Sequence, residues 1–232
     1  MSIMTLNKLE PSALVGEQVY DAIHRSIING ELEAGQRLRI RDLAEQLGTS
    51  VMPVREALRR LEEGGLVQTI PYRGAVVKGF TAQELLHIYA VRRLLEVEAA
   101  KLGVPNLSDA DIAGLHADYD KMIEALERGD INDCLAQDEA FLSRMYAASG
   151  NPFLIESIER LWTQCRAYKV IGARRAVASG RQKMLWEFQQ QMLEAAESRD
   201  AKKIADLNDA SIMAAMERIR TALSESEEPQ ES

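Results

Sequence analysis

Aromatic residues are scarce in this chain: Phe, Tyr and Trp make up 5% of 232 residues, with only two tryptophans. Ala, Leu, Glu, Arg and Met are plentiful instead, which is helix-forming chemistry. No apolar run approaches the roughly 18 residues that a membrane-spanning helix needs. The N-terminus, MSIMTLNKLEPS, has no basic stretch followed by an apolar one, so it does not read as a secretory signal. There are two cysteines, Cys134 and Cys165, far apart and without metal-type spacing. They read as small buried apolar residues carrying reduced thiols, which suits a cytoplasmic protein. Histidines number three, His24, His87 and His116. There is also no overall excess of positive charge, since the net charge is -8.

What is present is a soluble composition, 46% apolar and 28% charged, with charge unevenly placed. Residues 36–80 hold eight basic residues against five acidic ones, whereas the chain beyond residue 80 has 18 basic against 26 acidic. An acidic body with one arginine-rich segment is compatible with nucleic-acid binding by that segment alone.

Helical spacing of Leu14, Val19, Ile23 and Ile27 predicts a first helix over 12–29, closed by Gly30. GELEAGQRL reads as a turn. A short helix is expected at about 40–47, with Leu43, Ala44 and Leu47 inward. Ser50 is placed to cap a third helix, with Pro53 in its first turn, where the missing N–H breaks no helical bond. On that helix Val54, Leu58 and Leu61 form the inward stripe, while Arg55 and Arg59 share another face with Val51 and Met52. Leu66–Ile70 and Ala75–Lys78, joined through Pro71-Tyr72-Arg73-Gly74, read as a hairpin and as the only convincing β segment.

From Thr81 onward the pattern is helical, with spans expected at 81–102, 108–128, 131–149, 152–173, 181–198 and 200–222. At Gly150-Asn151-Pro152, glycine closes one helix, asparagine caps the next and proline takes its first position. The expected organisation is mostly α. Residues 1–79 form a winged helix-turn-helix with a small β-hairpin. Residues 80–223 form an all-α bundle of six to seven helices, and 224–232 a disordered tail.

The order helix, helix, turn, helix, hairpin gives the arginines a purpose. Guanidinium groups at Arg55 and Arg59 suit guanine edges or phosphates, and Val51 and Met52 suit thymine methyls. Arg73, at a tip that Gly74 permits, is placed for phosphate or the minor groove, and Arg39 and Arg41 for the backbone. RDLAEQLGTSVMPVREALRRLEEGGLV…PYRGAVV resembles the DNA-binding domain of the GntR superfamily of bacterial transcription regulators. The resemblance covers about residues 14–78 and implies DNA contacts for Arg41, Arg55 and Arg73-Gly74. Val51 and Met52 depart from the arginine and threonine common in that family, which puts the usual operator sequence in question. Ser50 completes the set of candidate DNA-facing residues.

VRRLLEVEAAKL, DEAFLSRMYAASGNPFL and ESRDAKKI resemble the FadR subfamily, whose effector-binding and dimerisation domain is called FCD. Many such domains bind a divalent metal through one Asp and three His. Carried across, Asp138 is present but the histidine positions hold Leu142, Gln189 and Ser211, so no bound metal and no cofactor are expected. Candidate effector-binding residues are Arg92, Arg93, Asp138, Leu142, Arg166, Tyr168, Gln189 and Ser211. Arginine suits a carboxylate or phosphate, although Arg92 also stands at i, i+4 from Glu96 and can simply pair with it. No Glu-x-x-His pair, Ser–His–Asp set, P-loop or G-x-G-x-x-G is found, so an enzyme is not expected. The resulting expectation is a homodimeric, effector-responsive repressor of double-stranded operator DNA, away from membranes. The alternative is a constitutive DNA-binding regulator that has lost effector and metal sensing.

Overall fold

Apolar side chains one helical turn apart determine the first element. Helix α1, Ser12–Ile28, buries Val19, Ile23 and Ile27 along one stripe. The computed structural model describes residues 12–71 and 73–227. Contacts divide the chain between Gly79 and Phe80 into two units. The Leu14 side chain, expected on the same stripe, lies outside the described part.

The first unit continues with β1 (Arg37–Leu38), α2 (Ile40–Gln46), α3 (Val51–Glu63), β2 (Val67–Ile70) and β3 (Gly74–Val77). The strands form one antiparallel sheet in the order β1-β3-β2, pairing Arg37 with Val76 and Val67 with Val77. Strand β1 corrects the expectation of a plain turn over GELEAGQRL. Two residues are too few to show strand alternation; they are recruited by the free edge of β3. Val54, Ala57, Leu58 and Leu61 of α3 pack with the α1 stripe, Leu38, Ala44, Leu66 and Ala75 into one core. Leu47, expected inward, is exposed at the end of α2. Gly74 is obligatory: at φ +95°, a Cβ there would stand 2.2 Å from the Leu38 carbonyl oxygen.

The second unit is entirely helical among the described residues. It comprises α4 (Ala82–Gly103), a 3-10 turn (Val104–Asn106), α5 (Asp109–Glu127), α6 (Ile131–Ala147), α7 (Pro152–Ala178), a second 3-10 turn (Gln182–Leu185), α8 (Glu187–Glu197) and α9 (Ala201–Glu227). Local chemistry fixes the starts. Thr81 with Glu84 and Ser108 with Asp111 form reciprocal capping boxes. Asn151 accepts the Leu154 N–H with Pro152 in first position. The main core gathers Ala99, Leu115, Phe141, Met145, Tyr146, Ile158, Trp162, Met192 and Ile204.

Three boundaries differ from expectation. Helix α7 continues to Ala178 because Val170 and Ala173 pack against Ile131 and Leu135, carrying the helix past Gly172. The span 181–198 is split, since Trp186 at φ -138°, ψ 0° separates a 3-10 turn from α8. Helix α9 extends to Glu227, so residues 224–227 of the expected disordered tail are helical. Adding residues to a helix already formed costs little. Residues 228–232 lie outside the described part.

Candidate nucleic-acid interface and effector site

Helix α3 is the element on which the first unit presents a chemically distinctive face. Its buried stripe turns Val51, Met52, Arg55 and Arg59 to solvent, and Met52 is 71% exposed. Arg55 makes no ion pair among the described residues, which leaves five N–H donors unspent. Arg59 is engaged with Glu63 at 2.9 Å, an exposed pair of little intrinsic strength. Arg60 turns the other way, onto the Tyr20 ring at 4.1 Å and toward Glu17 at 3.4 Å, so it is a structural member of the arginine run.

Ser50 takes the extended backbone of an N-cap, but its side chain makes no capping bond. The expected hydroxyl cap is therefore absent, and Ser50 is exposed at the start of the same face. Pro53 in the first turn already removes one of the N–H groups that a cap would serve. Arg39 is the N-cap residue of α2, 3.8 Å from Asp42, and Arg41 is exposed beside it. Arg73 is exposed just before Gly74 at the hairpin turn. Two supports were not visible in the sequence. Arg37 on β1 donates to the Arg73 carbonyl at 3.3 Å, bracing the wing tip. Glu62 on α3 accepts the Thr69 N–H at 2.7 Å and the Thr69 hydroxyl at 2.5 Å, fastening β2 to the helix. These two bonds hold the Glu62 carboxyl below the usual range, so the tie is complete at neutral pH and weakens as acid protonates it.

In the helical unit, three of the buried or half-buried polar groups hold candidate effector residues. Arg92 donates to Glu96 Oε1 at 2.7 Å, and Trp162 Nε1 reaches the same oxygen at 2.9 Å. The Tyr146 hydroxyl donates to Glu96 Oε2 at 3.3 Å, and Asn208 donates to that hydroxyl at 2.7 Å. Burial works against the Arg92 charge, but the Glu96 carboxylate and its neighbours together push its pKa well above the ordinary value. Asp138 forms the second group: Lys169 Nζ lies 2.6 Å from Oδ2 and Gln189 Nε2 lies 2.6 Å from Oδ1. In the third, Arg166 bonds Glu139 and donates to the Asn132 carbonyl at 3.2 Å, while its Nε and Asn132 Oδ1 are buried without a partner.

The candidate effector residues thus do not converge as one set. Asp138 and Gln189 meet directly, with Leu142 buried one turn along α6. Arg93 forms a two-bond pair with Asp209. Tyr168 bonds the Phe80 backbone, and Ser211 is half-buried on α9 with no bond to Asp138. Lys169 and Asn208 escaped sequence reasoning, because a lone lysine or asparagine in a helix gives no signal of being buried. Both Asp138 oxygens already face cationic or amide N–H donors, Leu142 offers no ligand atom, and no three His, Cys, Asp or Glu converge among the described residues. The three histidines lie elsewhere: His24 stacks on Tyr20, His87 meets Gln83 and His116 meets Glu197.

A winged helix-turn-helix joined in one chain to an all-helical domain defines a two-domain DNA-binding regulator. The chain belongs to the GntR family of bacterial regulatory proteins, matching that family over residues 15–77 and the FCD domain over residues 87–214. It is 35% identical over 147 residues to the HTH-type transcriptional regulator McbR of Escherichia coli (strain K12), a match spanning 63% of this chain and 66% of that protein. The HTH-type regulator YdhC of Bacillus subtilis (strain 168) is 27% identical over 163 residues, covering 68% of this chain and 73% of the other. Among solved structures, Escherichia coli McbR/YncC superposes with a TM-score of 0.78 at 27% identity, covering 90% of this chain and 98% of the other. A putative GntR regulator from Rhodococcus sp. RHA1 shares the fold with a TM-score of 0.75 at 22% identity, covering 89% and 98%. No described helix is long and apolar enough to cross a membrane.

Proposed function

We propose that the protein is a homodimeric, effector-responsive transcription repressor, released from operator DNA by a small organic acid and working in the cytoplasm without metal or catalysis. The observation that carries this reading is the outward face of α3, where exposed Val51 and Met52 flank the unpaired Arg55. Arg55 supplies a bidentate donor for a guanine edge, and the apolar pair meets thymine methyls. Arg39, Arg41, Arg59 and Arg73 hold phosphates, and Ser50 and Gly74 let the backbone approach. Two copies present two such faces to a palindrome. The effector binds the two dimer geometries unequally and so shifts their populations.

The test is operator binding by fluorescence anisotropy with Arg55→Ala. Loss of one bidentate base contact is expected to cost about 1–3 kcal/mol of specific binding while the melting temperature holds. Full sequence specificity in that variant sinks the reading. A second reading, a constitutive regulator, is favoured by the mutual pairing of Arg92 with Glu96 and Arg93 with Asp209, which leaves those arginines already satisfied. A thermal-shift screen of small acids separates the two, because a constitutive protein binds operator and is stabilised by none.

A further inference from the structure

The turn between α5 and α6 borders a cleft of about 430 Å³, lined by Arg128, Gly129, Asp130, Ile131 and Asn132, with Arg174 of α7 on the other side. None of the candidate effector residues belongs to this lining, so the cleft is a separate feature of the helical unit. Arg174 is exposed and has no ion-pair or side-chain hydrogen-bond partner among the described residues, which leaves its five N–H donors free. Arg128 is braced by Asp133 at 2.8 Å and Glu124 at 4.0 Å, which set the direction of its guanidinium and leave further N–H groups unspent. Asp130, the one acid of the lining, takes the Asp133 N–H at 3.0 Å and is committed to capping its own helix. The first-turn N–H groups of Ile131 and Asn132 have no acceptor among the described residues. The lining is also unsatisfied from behind. Asn132 Oδ1 is buried without a partner, and so is Nε of Arg166, which is 8% exposed and donates to the Asn132 carbonyl at 3.2 Å. Charge along the chain points the same way: residues 170–186 hold Arg174, Arg175, Arg181 and Lys183 and no acid, in a unit whose acids otherwise outnumber its bases.

We propose that this cleft binds the phosphate group of a small phosphate monoester, with Arg174 and Arg128 as its two clamps. The site goes beyond the effector reading above and does not depend on it. One guanidinium fork satisfies a carboxylate, whereas a phosphate presents three oxygens and takes two forks at once. Arg128 and Arg174 supply those forks from two different elements, and the free amides at the start of α6 supply donors for the third oxygen. Two arginines against one committed carboxylate leave the lining net positive. A phosphate fills only part of about 430 Å³, so the remaining space takes the alcohol half of an ester. A DNA duplex is too wide to enter such a cleft and would meet exposed Arg175 as readily as Arg174. That difference separates the two sources of phosphate.

The experiment is calorimetric titration of the full-length protein at constant ionic strength with inorganic phosphate, glucose 6-phosphate, phenyl phosphate and unphosphorylated glucose, each carried to the millimolar range. A short duplex of non-operator sequence is titrated alongside. The variants are Arg174→Ala and, as the neighbouring control outside the lining, Arg175→Ala. Both side chains are exposed and neither is held by a carboxylate among the described residues, so each unliganded variant should melt with the wild type. Saturable binding of at least one of the two esters is expected, weakened about tenfold or more by Arg174→Ala and left unchanged by Arg175→Ala, with glucose silent. Silence from both esters overturns the assignment, as does saturation by inorganic phosphate alone. Unchanged ester affinity in Arg174→Ala overturns it as well. Equal weakening by the two variants assigns the binding to diffuse surface charge and overturns the cleft. Duplex binding that falls in Arg174→Ala while the esters are silent makes the partner nucleic acid and likewise overturns the proposal.

Discussion

Glu96 is 1% exposed, yet its side chain is a carboxylate, and it survives in the core because three donors converge on it. Arg92 comes from the same helix, Tyr146 from α6 and Trp162 from α7, so one side chain ties three helices together. Only the first partner was legible in the sequence, because i, i+4 spacing declares itself within a single helix. The others stand 50 and 66 residues away, and no periodicity connects them. Lys169 was illegible for the same reason: its partner Asp138 is 31 residues distant and on another helix. Glu96→Ala should be expensive, since it leaves a buried guanidinium unpaired and two further donors without an acceptor. A loss of about 3–5 kcal/mol is expected. Urea unfolding followed by tryptophan fluorescence measures it, and a loss below about 1 kcal/mol would mean that Arg92 finds another partner.

At the level of elements, helix α3 and the hairpin were readable because their signals are local. A proline tolerated in a first turn, a three-residue apolar stripe and a glycine before a β-rich run each declare themselves within one segment. Strand β1 was not readable, since two residues become a strand only when an edge is there to pair with them. That edge explains why Gly74 has a packing reason beyond its positive φ. The wing tip turns directly against β1, leaving no room for a side chain atom beside the Leu38 carbonyl. Gly74→Ala combines a left-handed backbone with a contact against main chain that cannot yield. A destabilisation of about 1–3 kcal/mol from the backbone alone is expected, with the clash added. Thermal melting of the variant measures the stability, and operator titration should show weaker binding as the tip carrying Arg73 shifts. Wild-type values in both would show that the sheet relaxes without cost.

At the scale of the whole molecule, each unit closes its own core, but α4 leaves apolar side chains outside. Val91, Leu94 and Leu102 are exposed large hydrophobics on that helix, and Leu94 is 74% exposed. Their spacing of three and eight residues keeps them within about 80° of one another around the helix. A soluble protein rarely leaves such a stripe uncovered, and the proposed homodimer supplies a cover of matching chemistry, the same stripe of a second copy about a twofold axis. Leu94→Glu then places two carboxylates at the centre of a self-complementary contact while leaving the fold of the single chain untouched. Light scattering after size exclusion should give the mass of two chains for the wild type and of one for the variant. Operator affinity should fall by roughly 10²–10⁴, because two half-sites are no longer held at a high effective concentration. A variant that remains dimeric places the interface on another face, and a wild type that is monomeric removes the twofold basis of the operator reading.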